Sequence, residues 1–248
     1  MDAVIHLQET DSTNDVMHRL LSGADASQVQ EGTLVYADFQ TKGRGQGSHT
    51  WESEDGANLL FTMVLFPDFV PADQQFLLSQ VAALGVADYL TRCCGLSEVS
   101  VKWPNDVYYK DRKICGMLLE AQLMNREMEY VLLGVGINLN QLLFIGDAPN
   151  PVSVRQITGR TVVVAHAAEQ VRECIMARYM TLAGGDKQKI RSDYAEKLYR
   201  CSGFFRYVDA KGPFEAEIVA VRDTGDLVLR RRDGEESTYL FGEVKFVL

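Results

Sequence analysis

At Ser202 the sequence changes rhythm, and that change limits what the whole chain can fold into. Beyond it no helical period is left. Short strand-like runs, Phe204 to Val208, Phe214 to Val221, Leu227 to Arg231, Thr238 to Phe241 and Val244 to Val247, alternate with the turn signals Lys211-Gly-Pro, Asp223-Thr-Gly and Asp233-Gly. Segment 201–248 therefore predicts a small β-barrel appended to a larger α+β domain, 1–200.

In that larger domain a strand around Val4 to Leu7 leads into the cap-forming run Thr10 to Asn14 and a helical segment from Asp15 to Leu21. Pro71 takes a first helical position, and Leu78, Val81, Ala82, Gly85 and Tyr89 repeat at helical spacing. Strands are expected at Val99 to Lys102, Lys113 to Met124 and Glu129 to Leu139, with turns at Lys110-Asp111 and Asn125-Arg126, which implies substantial antiparallel pairing. A second helix carries Val164, Ala167, Ala168, Val171, Ile175, Tyr179 and Leu182, stops at Gly184-Gly185, and precedes a shorter one near Lys187 to Tyr199.

The chain has 248 residues, 46% of them hydrophobic, enough for one sizeable core. No apolar run approaches the ~20 residues of a membrane span, and the start lacks signal-peptide features, so the expected location is cytoplasmic. The five cysteines lack metal-type spacing and read as reduced, non-chemical thiols. A net charge of -9 argues against non-specific nucleic-acid binding. The basic run Arg230 to Arg232 abuts Asp233, Glu235 and Glu236 and reads as a solvated strand end.

Four segments carry chemistry. Gln40 to Trp51, QTKGRGQGSHTW, lies between the strongly apolar runs TLVYADF and ANLLFTMVLF, with glycines for close backbone approach and fixed charge on Lys42 and Arg44. Its alternative is a mobile surface loop. KWPND, Lys102 to Asp106, presents Lys102 at a strand end beside a proline turn, where a lone lysine more often just keeps an edge soluble. In RKICGMLLE, Gly116 interrupts a well-packed strand, as where a ligand meets the backbone. In GVGIN, Gly134 and Gly136 share one bare face that could floor a flat ring or admit a close helix, and Asn138 brings a donor and an acceptor.

Taken in order, STN, GRGQGSHTW, KWPND, RKICG and GVGIN resemble the biotin protein ligase family over essentially the whole chain, and the closing FGEVKF looks like the end of its C-terminal barrel. The resemblance implies an α+β fold, a mixed, largely antiparallel sheet covered by helices, with a small SH3-like β-barrel. STN lies so near the start that the short form, without a helix-turn-helix repressor domain, is expected. The implied reaction joins biotin and ATP to biotinoyl-5'-AMP, then transfers biotin to a lysine of a biotin carboxyl carrier domain. Mg2+ is implied by ATP, with no ligands assigned. DNA and membrane are not expected as partners, and a homodimer through exposed sheet edges stays open.

By the same resemblance, Arg44 and Lys102 are catalytic, converging from separate segments on the reacting anions. Ser12, Thr13, Asn14, Gln40, Arg44, Gly45, Gln46, Lys102 and Gly116 are implied for biotin, and Arg44, Trp51, Lys102, Asn105 and Asn138 for ATP and the adenylate. Ser12 and Thr13 could equally cap a helix, and Trp51 could be a core anchor. The glycine-rich loop is expected to act as a lid that orders on its ligands. Repressor-type relatives carry a second basic residue just after GRG. Here Gln46 and Gly47 stand there, with His49 and Thr50 before the tryptophan, so looser adenylate retention is expected. Asp106 is a conceivable helper for the acceptor lysine. The alternatives are a lipoate or octanoate ligase, a non-catalytic biotin-sensing or carrier-binding module, and, more distantly, an RNA binder.

Overall fold

Strand β3 (Leu59–Leu65) is buried along its whole length, because both of its faces are covered. The structure, a computed structural model, describes residues 3–24, 26–45, 47, 50–124, 127–146 and 149–247. Around β3 a seven-stranded sheet runs β1 (Val4–Thr10), β2 (Leu34–Gln40), β3, β7 (Glu127–Ile137), β6 (Arg112–Met124), β5 (Asp106–Tyr109), β4 (Val99–Lys102). β1 and β2 are parallel and the other neighbours antiparallel, so the sheet is mixed as expected.

Side chains alternate across a strand, and the two faces of β3 meet different helices. Val64 joins Val35 and Leu132 beneath Met17 of α1 (Thr13–Ser22). Leu59, Phe61, Met63 and Leu65 point the other way, into the core made with α2 (Phe76–Arg92) and α4 (Val164–Ala183). Those two helices cross at Gly85, where a Cβ would come within 2.6 Å of Ile175.

Three details differ from the expectations. Pro71 caps a single 3-10 turn, Ala72–Gln74, and α2 starts after it, at Phe76. β5 is an extra strand that pairs with β4 and turns KWPND into a hairpin, with Lys102 opposite Asp106. α3 (Val154–Thr158) is also extra. It is too short to show a period, but its Ser153/Gln156 capping box is a sequence signal. The expected turn at Asn125-Arg126 lies outside the described residues.

After α5 (Lys187–Lys197), Leu198 bridges Val101 and covers part of the β4 edge. The last strands, β8 (Phe205–Asp209), β9 (Gly212–Val221), β10 (Leu227–Arg231), β11 (Glu236–Tyr239) and β12 (Lys245–Phe246), form a five-stranded antiparallel sheet in the order β11-β10-β9-β8-β12. Among the described residues the outer strands β11 and β12 do not pair with each other. Gly225 (φ +94) turns β9 into β10, and its carbonyl accepts a hydrogen bond from Trp103 Nε1 at 2.8 Å. Phe241 packs against both Trp103 and Phe76, so one apolar cluster runs through the two sheets. The basic run is neutralised: Arg230 pairs with Glu217, Arg231 with Asp209 and Arg232 with Glu215. Among the described residues no helix is long and apolar enough to cross a membrane.

Candidate functional site

The strand registers draw one line across the face opposite α2. Lys102 faces Asp106, Asp106 faces Gly116, Gly116 faces Gly136 and Gly136 faces Leu60. With strands ~4.8 Å apart, Lys102 stands about 14 Å from Gly136. The centre of this row is bare backbone, as the strand glycines suggested.

What lies on the bare floor is the Trp51 indole. A Cβ on Gly136 would come within 2.4 Å of its ring atoms, and one on Gly116 would sit 2.7 Å from its edge. One row along, Gly134 admits Asn14, whose Oδ1 would be 2.7 Å from an added Cβ. Among the described residues Trp51 Nε1 and Asn138 Oδ1 are both buried without a hydrogen-bond partner, and such atoms mark places where a ligand can bond. Asn138 Nδ2 donates to the Val152 carbonyl at 3.2 Å, so the amide is fixed with its oxygen unused.

A buried polar cage closes the α1 end. Thr62 donates towards Thr13 Oγ1 at 2.8 Å and lies against Asn14, while the Thr13 hydroxyl and N–H both donate to Gln40 Oε1, at 3.1 and 2.7 Å. Thr13 and Asn14 belong to the first turn of α1 and Gln40 ends β2, so the parallel β1–β2 pair brings them together. Ser12 stands at the N-cap but makes no side-chain capping bond, which leaves its hydroxyl available. Asp11 holds this corner by accepting from Ser12 N and Arg19, contacts that keep its carboxyl well below the usual range. No sequence signal set Asp11 apart from an ordinary cap residue.

Lys102 ends the row on the other side. Burial lowers its pKa, with Lys113 and Arg200 adding to the effect against the opposing pull of Asp106. Its ammonium lies 5.4 Å from the Tyr108 ring and 4.9 Å from that of Phe246 in β12, and among the described residues no carboxylate forms a salt bridge with it. A cation withdrawn from water without a counter-ion is electrostatically incomplete.

Arg44 pairs with Asp15 on α1, and the charges acting on Lys102 are those of Asp106, Lys113 and Arg200. A bridge between Arg44 and Thr50 and a hydrogen bond from Trp51 N to Gly43 O close the neck of the loop, which contains Gly45. Gln46 and His49 lie outside the described residues. The Asn105 amide nitrogen donates to Met117 O, which ties the β4–β5 hairpin to β6. Asp106 is held by Lys113 at 2.6 Å. Lys113 lies within RKICG, where no sequence signal marks it for a role. The five cysteines are free, and burial pushes the Cys174 thiol up to about 11.

The sequence model of the Biotin/lipoate A/B protein ligase family matches residues 7–138. The chain is 28% identical over 233 residues to the bifunctional ligase/repressor BirA of Bacillus subtilis, covering 92% of this chain and 69% of that one. Over 163 residues it is 36% identical to the biotin--[acetyl-CoA-carboxylase] ligase of Paracoccus denitrificans, covering 63% and 64%. The solved biotin protein ligase from Aquifex aeolicus in complex with biotin and ATP matches at a TM-score of 0.79 and 25% identity, over 100% of both chains. With more than half of its length matched by the family model, the chain belongs to the Biotin/lipoate A/B protein ligase family. Within that family, the relatives named here are on the biotin side.

Proposed function

We propose that this chain is a biotin protein ligase that makes biotinoyl-5'-AMP from biotin and ATP, then passes biotin to a lysine of a biotin carboxyl carrier domain. The observation that carries the chemistry is Lys102, a half-buried ammonium that forms no salt bridge among the described residues, at the end of a glycine floor. In the first half-reaction a carboxylate oxygen attacks the α-phosphorus and diphosphate leaves. Two unit anions ~4 Å apart repel by about 4 kcal/mol at an effective dielectric of 20, so a fixed cation between them lowers the barrier directly. In the second half-reaction the acceptor amine attacks the acyl carbon and AMP departs.

Biotin's ureido ring is assigned to the cage of Ser12, Thr13, Asn14 and Gln40, with Gly116 and Gly134 below the rest of the molecule. The unused Asn138 Oδ1 and the Trp51 indole suit the adenine. Arg44 is assigned to the biotin carboxylate and the phosphate once it leaves Asp15, and loop 43–51 then acts as the lid. Among the described residues no group of three or more acidic, histidine or cysteine side chains is placed to hold a metal. Magnesium is therefore taken to enter with the nucleotide as MgATP, where it neutralises phosphate oxygens. Residues 201–248 are read as an SH3-like domain on 1–200, supported by five short antiparallel strands and the stacked Tyr207, Phe214 and Tyr239 rings.

The test is ATP–pyrophosphate exchange by the purified chain with biotin or lipoate, followed by labelled-biotin transfer to a carrier domain. Biotin-dependent exchange is expected. Exchange driven by lipoate alone would move the chain to the other branch of its family.

A further inference from the structure

Lys113 faces the reaction floor because of a defect in its strand. Val107 pairs with Cys115, but Tyr108 pairs with Lys113, so Ile114 is an extra residue, a β-bulge. Ile114 and Cys115 both enter the core, whereas regular alternation would have sent Lys113 there. The bulge instead turns Lys113 to the face of Asp106 and Gly116, the kind of re-aiming that bulges perform beside active sites. Segment 150–152 fixes the backbone on its other side, with Lys113 N donating to Asn150 O and Val152 N to Lys113 O, at 2.9 and 2.8 Å.

The side chain folds over Gly116, where an added Cβ would lie 3.2 Å from Nζ, and the ammonium is 5.6 Å from the Trp51 ring. Its counter-ion is Asp106 at 2.6 Å, with the lysine 27% and the aspartate 14% exposed. The lysine is thus the more exposed partner of the pair, within reach of an anion arriving from solvent. Exchanging a carboxylate for a phosphate keeps the ammonium paired, and Asp106 still has the charge of Lys102 acting opposite it.

We infer that Lys113 is a nucleotide-binding residue of the ligase proposed above, leaving Asp106 to hold the β- or γ-phosphate of ATP while Lys102 serves the deeper carboxylate and α-phosphate. These outer phosphates form the leaving diphosphate and are absent from biotinoyl-5'-AMP, so the two half-reactions separate this role from a structural one.

The experiment measures biotin-dependent exchange, calorimetric ATP and biotin binding, and transfer from supplied biotinoyl-5'-AMP, for wild type, Lys113→Met, Lys113→Arg and Asp106→Asn. Loss of one charge-assisted phosphate bond predicts a KM for ATP raised about 10- to 100-fold in Lys113→Met. Biotin affinity and transfer from the supplied adenylate should stay at wild-type levels, which also shows that the variant is folded. Lys113→Arg should recover most of the ATP affinity, and Asp106→Asn, which removes the resting competitor, should not weaken it. Transfer that falls in step with exchange, or an Asp106→Asn defect equal to that of Lys113→Met, would overturn the inference. An active wild type with an unshifted Lys113→Met would sink Lys113 alone, whereas a wild type without biotin-dependent exchange would sink the ligase reading as well.

Discussion

In the proposed mechanism Lys102 acts as a cation, yet its surroundings favour the neutral form, and two pH effects of opposite sign follow. Burial, helped by Lys113 and Arg200, places its folded-state pKa below the ordinary lysine value. Between that lowered value and about 10.4 the unfolded chain holds the proton and the folded chain does not, so this group makes stability rise with pH across the window. Adenylation should fall across the same window, and paired titrations of kcat and of the unfolding midpoint will show whether the limbs oppose each other. Lys102→Met should lower kcat for exchange by ~10²–10³-fold, as when a preorganised charge is removed, while its stability is maintained or raised. A wild-type kcat in that variant would remove Lys102 from the mechanism. Gly136→Ala is a second residue-scale test. Its Cβ would come within 2.4 Å of the Trp51 indole, so the tryptophan should be displaced, seen as red-shifted emission and a raised KM for ATP with biotin affinity less affected. Unmoved emission would mean that Trp51 does not rest on the glycine.

At the scale of elements, the site is the meeting of α1, the ends of β2 and β6, and the floor of β7. Thr62 sits in the middle of β3 with no sequence feature to mark it, yet its hydroxyl joins Thr13 and Asn14 of α1 to the sheet. Thr62→Val keeps the shape and removes that bond. The variant should lose ~1–3 kcal/mol of stability for the buried polar groups left unpaired, with weaker biotin binding by calorimetry. Unchanged biotin affinity would detach the cage from biotin. The glycine-rich loop is an element too, held at its neck by Gly43, Arg44, Thr50 and Trp51. Arg44→Ala should release adenylate and weaken biotin binding, read as faster loss of labelled biotinoyl-5'-AMP on gel filtration, and retention equal to wild type would refute its role. The motif arrangement identified most of these elements. It missed β5 and α3, because runs of four and five residues are too short to show a period.

For the molecule as a whole, the C-terminal sheet belongs to the core and reaches the candidate site. Trp103, inside KWPND, inserts between the two sheets, bonded to Gly225 and packed on Phe241, and Phe246 of β12 lies against Lys102. Calorimetry should therefore show one unfolding transition, and Trp103→Ala should cost about 3–5 kcal/mol, the usual range for emptying a buried tryptophan site. It should also impair adenylation. Two separate transitions in the wild type would show that segment 201–248 folds on its own.

Local chemistry was enough to mark the glycine-rich loop, KWPND, RKICG and GVGIN, because glycine, proline and charge change the backbone and its solvation wherever they occur. Strand and helix periods likewise placed β2, β3, α2 and α4 near their observed positions. The fold alone decided which of these segments face one another. A single bulge at Ile114 brings Lys113 onto the glycine floor, register lines Lys102 up with three neighbouring strands, and Arg44 rests on Asp15. The physical reason is that a side chain's facing depends on pairing across strands distant in sequence, where a shift of one residue reverses it.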